Sequence, residues 1–253
     1  FEALGSFRLD DPEAARLGRR VENDFLGLST GIMDQFISRC GKAGHALFLD
    51  CRSYEYELVP VAFPDAVFVI ANTGCSRGLA ASKYNERVAE CGSAVKAMGE
   101  CLGKSGSYLR DFTLAELESC RSAMDDVVFR RARHVISENQ RTQEACAAMR
   151  EGDAVRLGRL MNDSDKSLRS DYEVTCPELD TMTAVALSLA GCLGARMTGA
   201  GFGGCTINLV RKAHVEAFCR ALMTGYRERT GLTGEVIISE PGDGAFVLFQ
   251  EPA

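Results

Sequence analysis

The chain has 253 residues, 46% of them hydrophobic, and a net charge of -6 with a pI near 5.3. That is ample apolar material for one large core or two of ordinary size, and the acidic balance argues against a nucleic-acid or polybasic membrane partner. Eleven cysteines run from Cys40 to Cys219 without a single C-x-x-C pair, so neither the clustered ligands of a zinc site nor a redox dithiol can be read from their spacing. An odd number of cysteines in a chain of this size reads as reduced, mostly buried thiols in a reducing cytosol.

The longest apolar run, Val185 to Ala195, is about half the length needed to span a bilayer, and no signal peptide precedes the first helix, so a cytoplasmic protein is expected. His45, His134 and His214 stand far apart in unrelated contexts and read as structural or surface residues, and no hydrolase triad can be drawn from them. The chain opens on Phe1-Glu2-Ala3-Leu4 rather than a methionine, and is expected to be part of a longer protein.

In chain order, Ala14, Leu17, Val21 and Phe25 recur on one side of a helix capped by Asp10 or Asp11, with Pro12 in its first turn, where the missing N–H costs nothing. A glycine break, Gly27 to Gly31, leads to a second helix from Ile32 to Arg39, closed by Gly41 and Gly44. His45 to Asp50 and Val67 to Asn72 read as buried strands, with Tyr54 to Val61 as a weaker, alternating third. From Leu79 to Gly191 the pattern is helical, broken at Gly103 to Thr113 and near Gly152 and Tyr172. Within it the run from Met124 to Arg150 is expected to turn Val127, Val128, Val135 and Ile136 inward and an arginine-glutamate face to solvent. The helix from Cys176 is expected to run to Gly194. A buried strand at Cys205 to Val210, a helix from Ala213 to Arg229, and two closing strands, Glu235 to Ser239 and Gly244 to Phe249, complete an α+β rather than a parallel α/β pattern.

Between that helix and that strand lies Arg196-Met-Thr-Gly-Ala-Gly-Phe-Gly-Gly-Cys205. So many glycines leave a backbone free to approach a ligand. Gly199, Gly201 and Gly204 satisfy G-x-G-x-x-G, but a dinucleotide loop follows a strand and opens a helix. Here the expected order is reversed, helix then strand, which argues against a Rossmann site.

Three side chains have two readings each. Asp34, in Gly31-Ile-Met-Asp-Gln-Phe36, is either a first-turn acid complementing a helix dipole or a base, or orienter, for an incoming hydroxyl. Glu22, on the preceding helix, is either a solvated surface acid or a second carboxylate that a helical hairpin brings toward Asp34. Tyr84, in Ser82-Lys-Tyr-Asn-Glu-Arg87, is either packing or an amphipathic recognition ring.

Val21-Glu-Asn23, Gly31-Ile-Met-Asp-Gln-Phe36, Ser82-Lys-Tyr-Asn85 and the glycine loop, in this order and at these separations, resemble the galactokinase family of the GHMP small-molecule kinase superfamily. His45-Ala-Leu-Phe-Leu-Asp-Cys-Arg52, Arg133-His134 with Glu138-Asn139, and Glu178 agree, and the resemblance covers essentially the whole chain. It implies an enzyme, a sugar 1-kinase transferring the γ-phosphate of ATP to the anomeric hydroxyl of α-D-galactose. Asp34 would be the catalytic aspartate, Gly31, Asp34 and Tyr84 would bind the sugar, and Glu22 would bind Mg2+, a hard cation that takes few carboxylates plus phosphate oxygens. The glycine loop would be the superfamily's third motif, supporting the nucleotide region.

The family's N-terminal sugar motif and its Gly-Leu-Ser-Ser-Ser-Ala phosphate loop have no counterpart in this sequence. Gly27-Leu-Ser-Thr30 echoes that loop only where the family leads into its aspartate. The resemblance therefore implies the C-terminal two-thirds of a two-domain α+β GHMP fold. Residues 1–58 would end the N-terminal domain and 59–253 would form the helix-rich C-terminal one, with the upstream segment as intramolecular partner in a monomer and the fragment alone inactive. The alternatives are a GHMP kinase for N-acetylgalactosamine or arabinose, and a galactokinase-like sugar sensor.

Overall fold

The computed structural model describes residues 2–5, 7–27, 31–75 and 80–246. The chain divides into two compact units, Phe1–Ala62 together with Glu240–Ala253, and Phe63–Ser239. A division after Leu58 would cut a strand, because β1 (His45–Leu49) and β2 (Tyr56–Pro60) form an antiparallel pair running from His45 opposite Pro60 to Leu49 opposite Tyr56. The segment after Ser239 joins the first unit through backbone bonds, Gly44 N–H to the Pro241 carbonyl and Gly244 N–H to the Gly41 carbonyl, both 2.9 Å. The closing strand expected at Gly244 to Phe249 is irregular from Gly244 to Phe246, and its remainder lies outside the described residues.

In the first unit a short helix, α1 (Glu2–Gly5), precedes α2 (Asp11–Arg20), which runs into a π turn, Val21–Phe25; α3 (Met33–Cys40) follows. Pro12 sits in the first turn of α2, as its fixed φ favours. Arg39 ties α3 to both preceding helices: its Nε donates to Asp11 of α2 at 2.8 Å and its Nη1 to Glu2 of α1 at 2.6 Å. A Cβ on Gly18 would lie 3.3 Å from the Gln35 side chain. Residue 39 thus meets 11 and residue 35 meets 18, so the helices are antiparallel. Ala15, Ile32, Phe36 and Cys40 form their buried seam, with Leu47, Leu49 and Tyr54 packed against it.

The second unit centres on a four-stranded antiparallel sheet in the order β4-β5-β3-β6, made of β3 (Ala66–Asn72), β4 (Cys192–Thr198), β5 (Cys205–Arg211) and β6 (Glu235–Ser239). Two helices, α8 (Pro177–Ser188) and α9 (Val215–Thr230), bury Met182, Val185, Phe218, Leu222 and Tyr226 with Val69, Ala195 and Val210 of the sheet. Three more, α4 (Ala80–Leu102), α5 (Leu114–Ser119) and α6 (Asp126–Glu151), share a separate core around Met98, Phe112, Leu117, Phe129 and Ile136, and α7 (Ala154–Ser167) follows. Local chemistry fixes the boundaries: Asp125 caps α6 by accepting from Val128 N–H at 2.8 Å, and Asp153 caps α7 by accepting from Arg156 N–H at 2.8 Å.

Three expectations are corrected here. The helix from Cys176 stops at Ser188, and Cys192–Thr198 is a strand, so the glycine loop joins two antiparallel strands. Leu193 and Ala195 are apolar in either periodicity, which is why a buried strand read as the end of a helix. On α6, Val127 is exposed, whereas Arg131, assigned to the solvated face, is 2% exposed. The cysteines are mostly half-buried: Cys40, Cys120 and Cys146 are buried, Cys51 and Cys101 exposed, and six are intermediate.

Candidate active site

The antiparallel pairing of α2 with α3 gathers three of the sequence-derived site residues at one end of the first unit. Glu22 lies in the π turn that continues α2, half-buried, and Asp34 is exposed in the first turn of α3. Gly31 stands exposed just before α3, with open space where a side chain would go. Because α2 ends where α3 begins, both carboxylates and the glycine backbone belong to the same end of the hairpin. Leu28, Ser29 and Thr30, which echo a phosphate loop in sequence, lie outside the described residues. Tyr84 belongs to the second unit, in the first turns of α4, 39% exposed.

The glycine motif of the second unit is the β4–β5 loop. Positive φ holds at Gly199, Gly201, Phe202, Gly203 and Gly204, a left-handed path that presents backbone rather than side chains. Phe202 is the one non-glycine in it, at φ 58°, a conformation kept only where its surroundings over-determine it. They do: Phe202 N–H donates to the Val174 carbonyl at 2.8 Å, and a Cβ on Gly201 would meet that same oxygen at 2.2 Å. On the other side the Thr73 N–H (2.9 Å) and hydroxyl (2.7 Å) both donate to the Gly204 carbonyl. A strand-loop-strand hairpin has no helix N-terminus to offer a pyrophosphate, so the Rossmann reading fails on the topology itself.

Behind the loop lies an ion-pair network that the sequence reading did not anticipate. Arg131 donates to Glu90 (2.9 Å), Glu173 (2.6 Å) and the Asp171 carbonyl (2.6 Å), and Arg87 donates to the carbonyls of Tyr172 (2.6 Å) and Glu173 (3.0 Å). Hydrogen bonds from Arg130, then Arg131, hold the Glu173 carboxyl down at about 2. The signal was present in the sequence as charge on a helix. Only partners 40 to 42 residues away, Glu90, Asp171 and Glu173 facing Arg131, could mark it as buried.

His134 is buried, stacked on Tyr172 with ring centroids 4.3 Å apart, and burial lowers its pKa to about 3. Its Nδ1 lies 2.9 Å from the Ser167 hydroxyl, which donates to Asp171. The serine stands between the imidazole and the carboxylate, the wrong order for a nucleophile, its base and the acid that orients the base. This trio locks the helices together.

Comparison with known proteins places the chain. Residues 145–227 match the family described as GHMP kinases C terminal. In that segment the chain is similar to the GHMP kinases.

Over nearly its whole length it is 41% identical to a galactokinase of Roseiflexus sp. (strain RS-1), over 96% of this chain and 62% of the relative. It is 43% identical to a galactokinase of Homo sapiens over 92% of this chain and 57% of the relative. The structure of Lactococcus lactis galactokinase complexed with galactose superposes with a TM-score of 0.91 at 40% identity, over 96% of this chain and 62% of that one. The chain spans about three fifths of the length of these galactokinases. No helix among the described residues is long and apolar enough to cross a membrane.

Proposed function

We propose that the protein phosphorylates α-D-galactose at its anomeric hydroxyl, with ATP as the phosphoryl donor. The observation that carries this reading is the 0.91 TM-score, at 40% identity, to a galactokinase solved with galactose. The helical hairpin that brings Glu22, Gly31 and Asp34 to one end supports it from the residues upward.

Phosphoryl transfer asks little covalent work of a protein, and most of the acceleration comes from positioning and charge neutralisation. Asp34, on the rigid first turn of α3, accepts the hydrogen bond of the anomeric hydroxyl and either takes its proton or aims the oxygen at the γ-phosphate. Gly31 offers backbone to the sugar without a side chain to fend it off, and Tyr84 offers a phenol and a ring face. Glu22 fits a hard cation, since a half-buried carboxylate on a helical turn supplies one oxygen ligand and leaves the rest to phosphate and water. Bound there, Mg2+ would neutralise phosphate charge. The eleven cysteines all stand as thiols, which suits a reducing cytoplasm.

The test is galactose-dependent ADP release by the full-length protein, with N-acetylgalactosamine and arabinose alongside. Galactose is expected to be the preferred acceptor, and Asp34→Asn to lose at least about 10²-fold in kcat, the usual cost of a lost general base. Preference for another sugar would reassign the substrate, and an Asp34→Asn variant above about a tenth of the parent rate would remove the role of that residue.

A further inference from the structure

Cys75, Cys176 and Glu178 bring two sulfurs and a carboxylate oxygen within 4.8 Å of one another, all three residues half-buried. They come from separate elements of the second unit: Cys75 follows β3, Cys176 is the N-cap of α8, and Glu178 lies in the first turn of α8. We propose that these three side chains form a binding site for a thiophilic divalent cation, zinc in the first place. Among the described residues no other group of three His, Cys, Asp or Glu side chains comes together in this way.

The donor set selects the metal. Two sulfurs and one carboxylate suit borderline-soft Zn2+, which takes four tetrahedral ligands, whereas Mg2+ demands six oxygens. Three protein ligands leave one position for water or a small ligand. Each thiol surrenders its proton as its sulfur binds, so one Zn2+ enters, two protons leave, and the site carries a charge of -1. The N-terminus of α8 faces that charge and favours it. Because both sulfurs must lose a proton to bind, uptake falls as pH falls.

The surroundings are already fixed. The Tyr226 hydroxyl donates to the Thr73 carbonyl at 2.8 Å, and the Thr73 hydroxyl accepts from Cys75 N–H at 3.2 Å, which holds the segment that carries the first sulfur. Gly204 N–H donates to the Cys75 carbonyl at 3.4 Å, so a metal joining Cys75 to α8 would brace one side of the glycine hairpin. The inference stands on these three residues and is independent of the sugar-kinase reading.

The test titrates the reduced, metal-free full-length protein with Co2+, a spectroscopic stand-in for zinc. Thiolate-to-cobalt charge transfer and intense tetrahedral ligand-field bands are expected, displaced by Zn2+ and untouched by Mg2+. Cys75→Ser and Cys176→Ser should each abolish them, and Glu178→Gln should weaken binding at least about tenfold, since even outer-shell partners of a metal are worth that much. Melting temperatures of the metal-free variants that match the parent's separate a lost ligand from a lost fold. Cobalt bands of parental intensity in both serine variants, or none in the parent, would overturn the site. So would a zinc-induced thermal shift that survives in the serine variants.

Discussion

Gly158 of α7 and Gly194 of β4 touch backbone to backbone. A Cβ on Gly194 would stand 2.3 Å from the Gly158 carbonyl oxygen, and one on Gly158 would stand 2.3 Å from the carbonyl oxygen of Leu193. Close by, the Asn162 side chain accepts from Ala195 N–H at 2.9 Å, so α7 fixes the strand that delivers the glycine hairpin. Gly194→Ala therefore forces helix and strand apart and should cost about 1–3 kcal/mol, the range for overpacking a tight interior. Urea unfolding measures it, and a variant within about 0.5 kcal/mol of the parent, no more than an ordinary surface substitution costs, would show that the contact is soft.

Arg131 is the buried charge most exposed to loss of its partners' compensation. Arg131→Met should destabilise by about 3 kcal/mol, the low end for breaking a buried pair, because both partners keep some solvent, Glu173 at 43% exposure and Glu90 at 17%. Adding Glu90→Gln to Arg131→Met should recover part of that loss. Additive penalties in the double-mutant cycle would contradict direct coupling.

Acidification acts on His134 with a defined sign. Its folded pKa is depressed to about 3 from 6.5, so below pH 6.5 the unfolded chain takes up a proton that the folded chain refuses. The stability held by neutral His134 is complete above pH 6.5 and is lost progressively toward pH 3. Asp165, raised to about 6 by burial, acts oppositely between pH 6 and 3.8. The effect of the histidine is thus isolated by comparing parent with His134→Gln: between pH 7 and 5 the parent should lose about 2 kcal/mol more than the variant. Equal pH slopes would mean that the imidazole is protonated in the folded protein.

Glu22 and Tyr84 should separate in kinetics if the proposed roles hold. Glu22→Gln should raise the Mg2+ concentration needed for half-maximal rate while leaving the melting temperature of the protein unchanged. Tyr84→Ala should raise KM for galactose and leave KM for ATP within about twofold, since removing binding shared by ground and transition states moves KM alone. A change in ATP KM larger than that in galactose KM would reassign Tyr84.

Much of this fold was legible. Pro12 and the aspartate before it announced α2, Gly152 announced the break between α6 and α7, and the β-branched run from Val67 announced β3, because capping, fixed φ and side-chain period are local properties. The segment from Cys192 to Thr198 was not legible as a strand. Its sequence fits a buried helix equally well, and the ladder to β5 that makes it a strand lies outside any local window. Arg131 reads as surface for the same reason, since its burial is decided by Glu90 and Glu173.

The candidate site divides along the same line. The sequence by itself determined the family resemblance and the residues Glu22, Gly31, Asp34 and Tyr84, through motif order and spacing. Only the tertiary structure decided that Glu22 and Asp34 share one end of a helical hairpin, that the glycine motif is a left-handed loop between two strands, and that Cys75 meets Cys176 and Glu178 about a hundred residues away. Residue types and their chemistry are written along the chain, but distance in space is set by packing and strand pairing between segments that no periodicity connects.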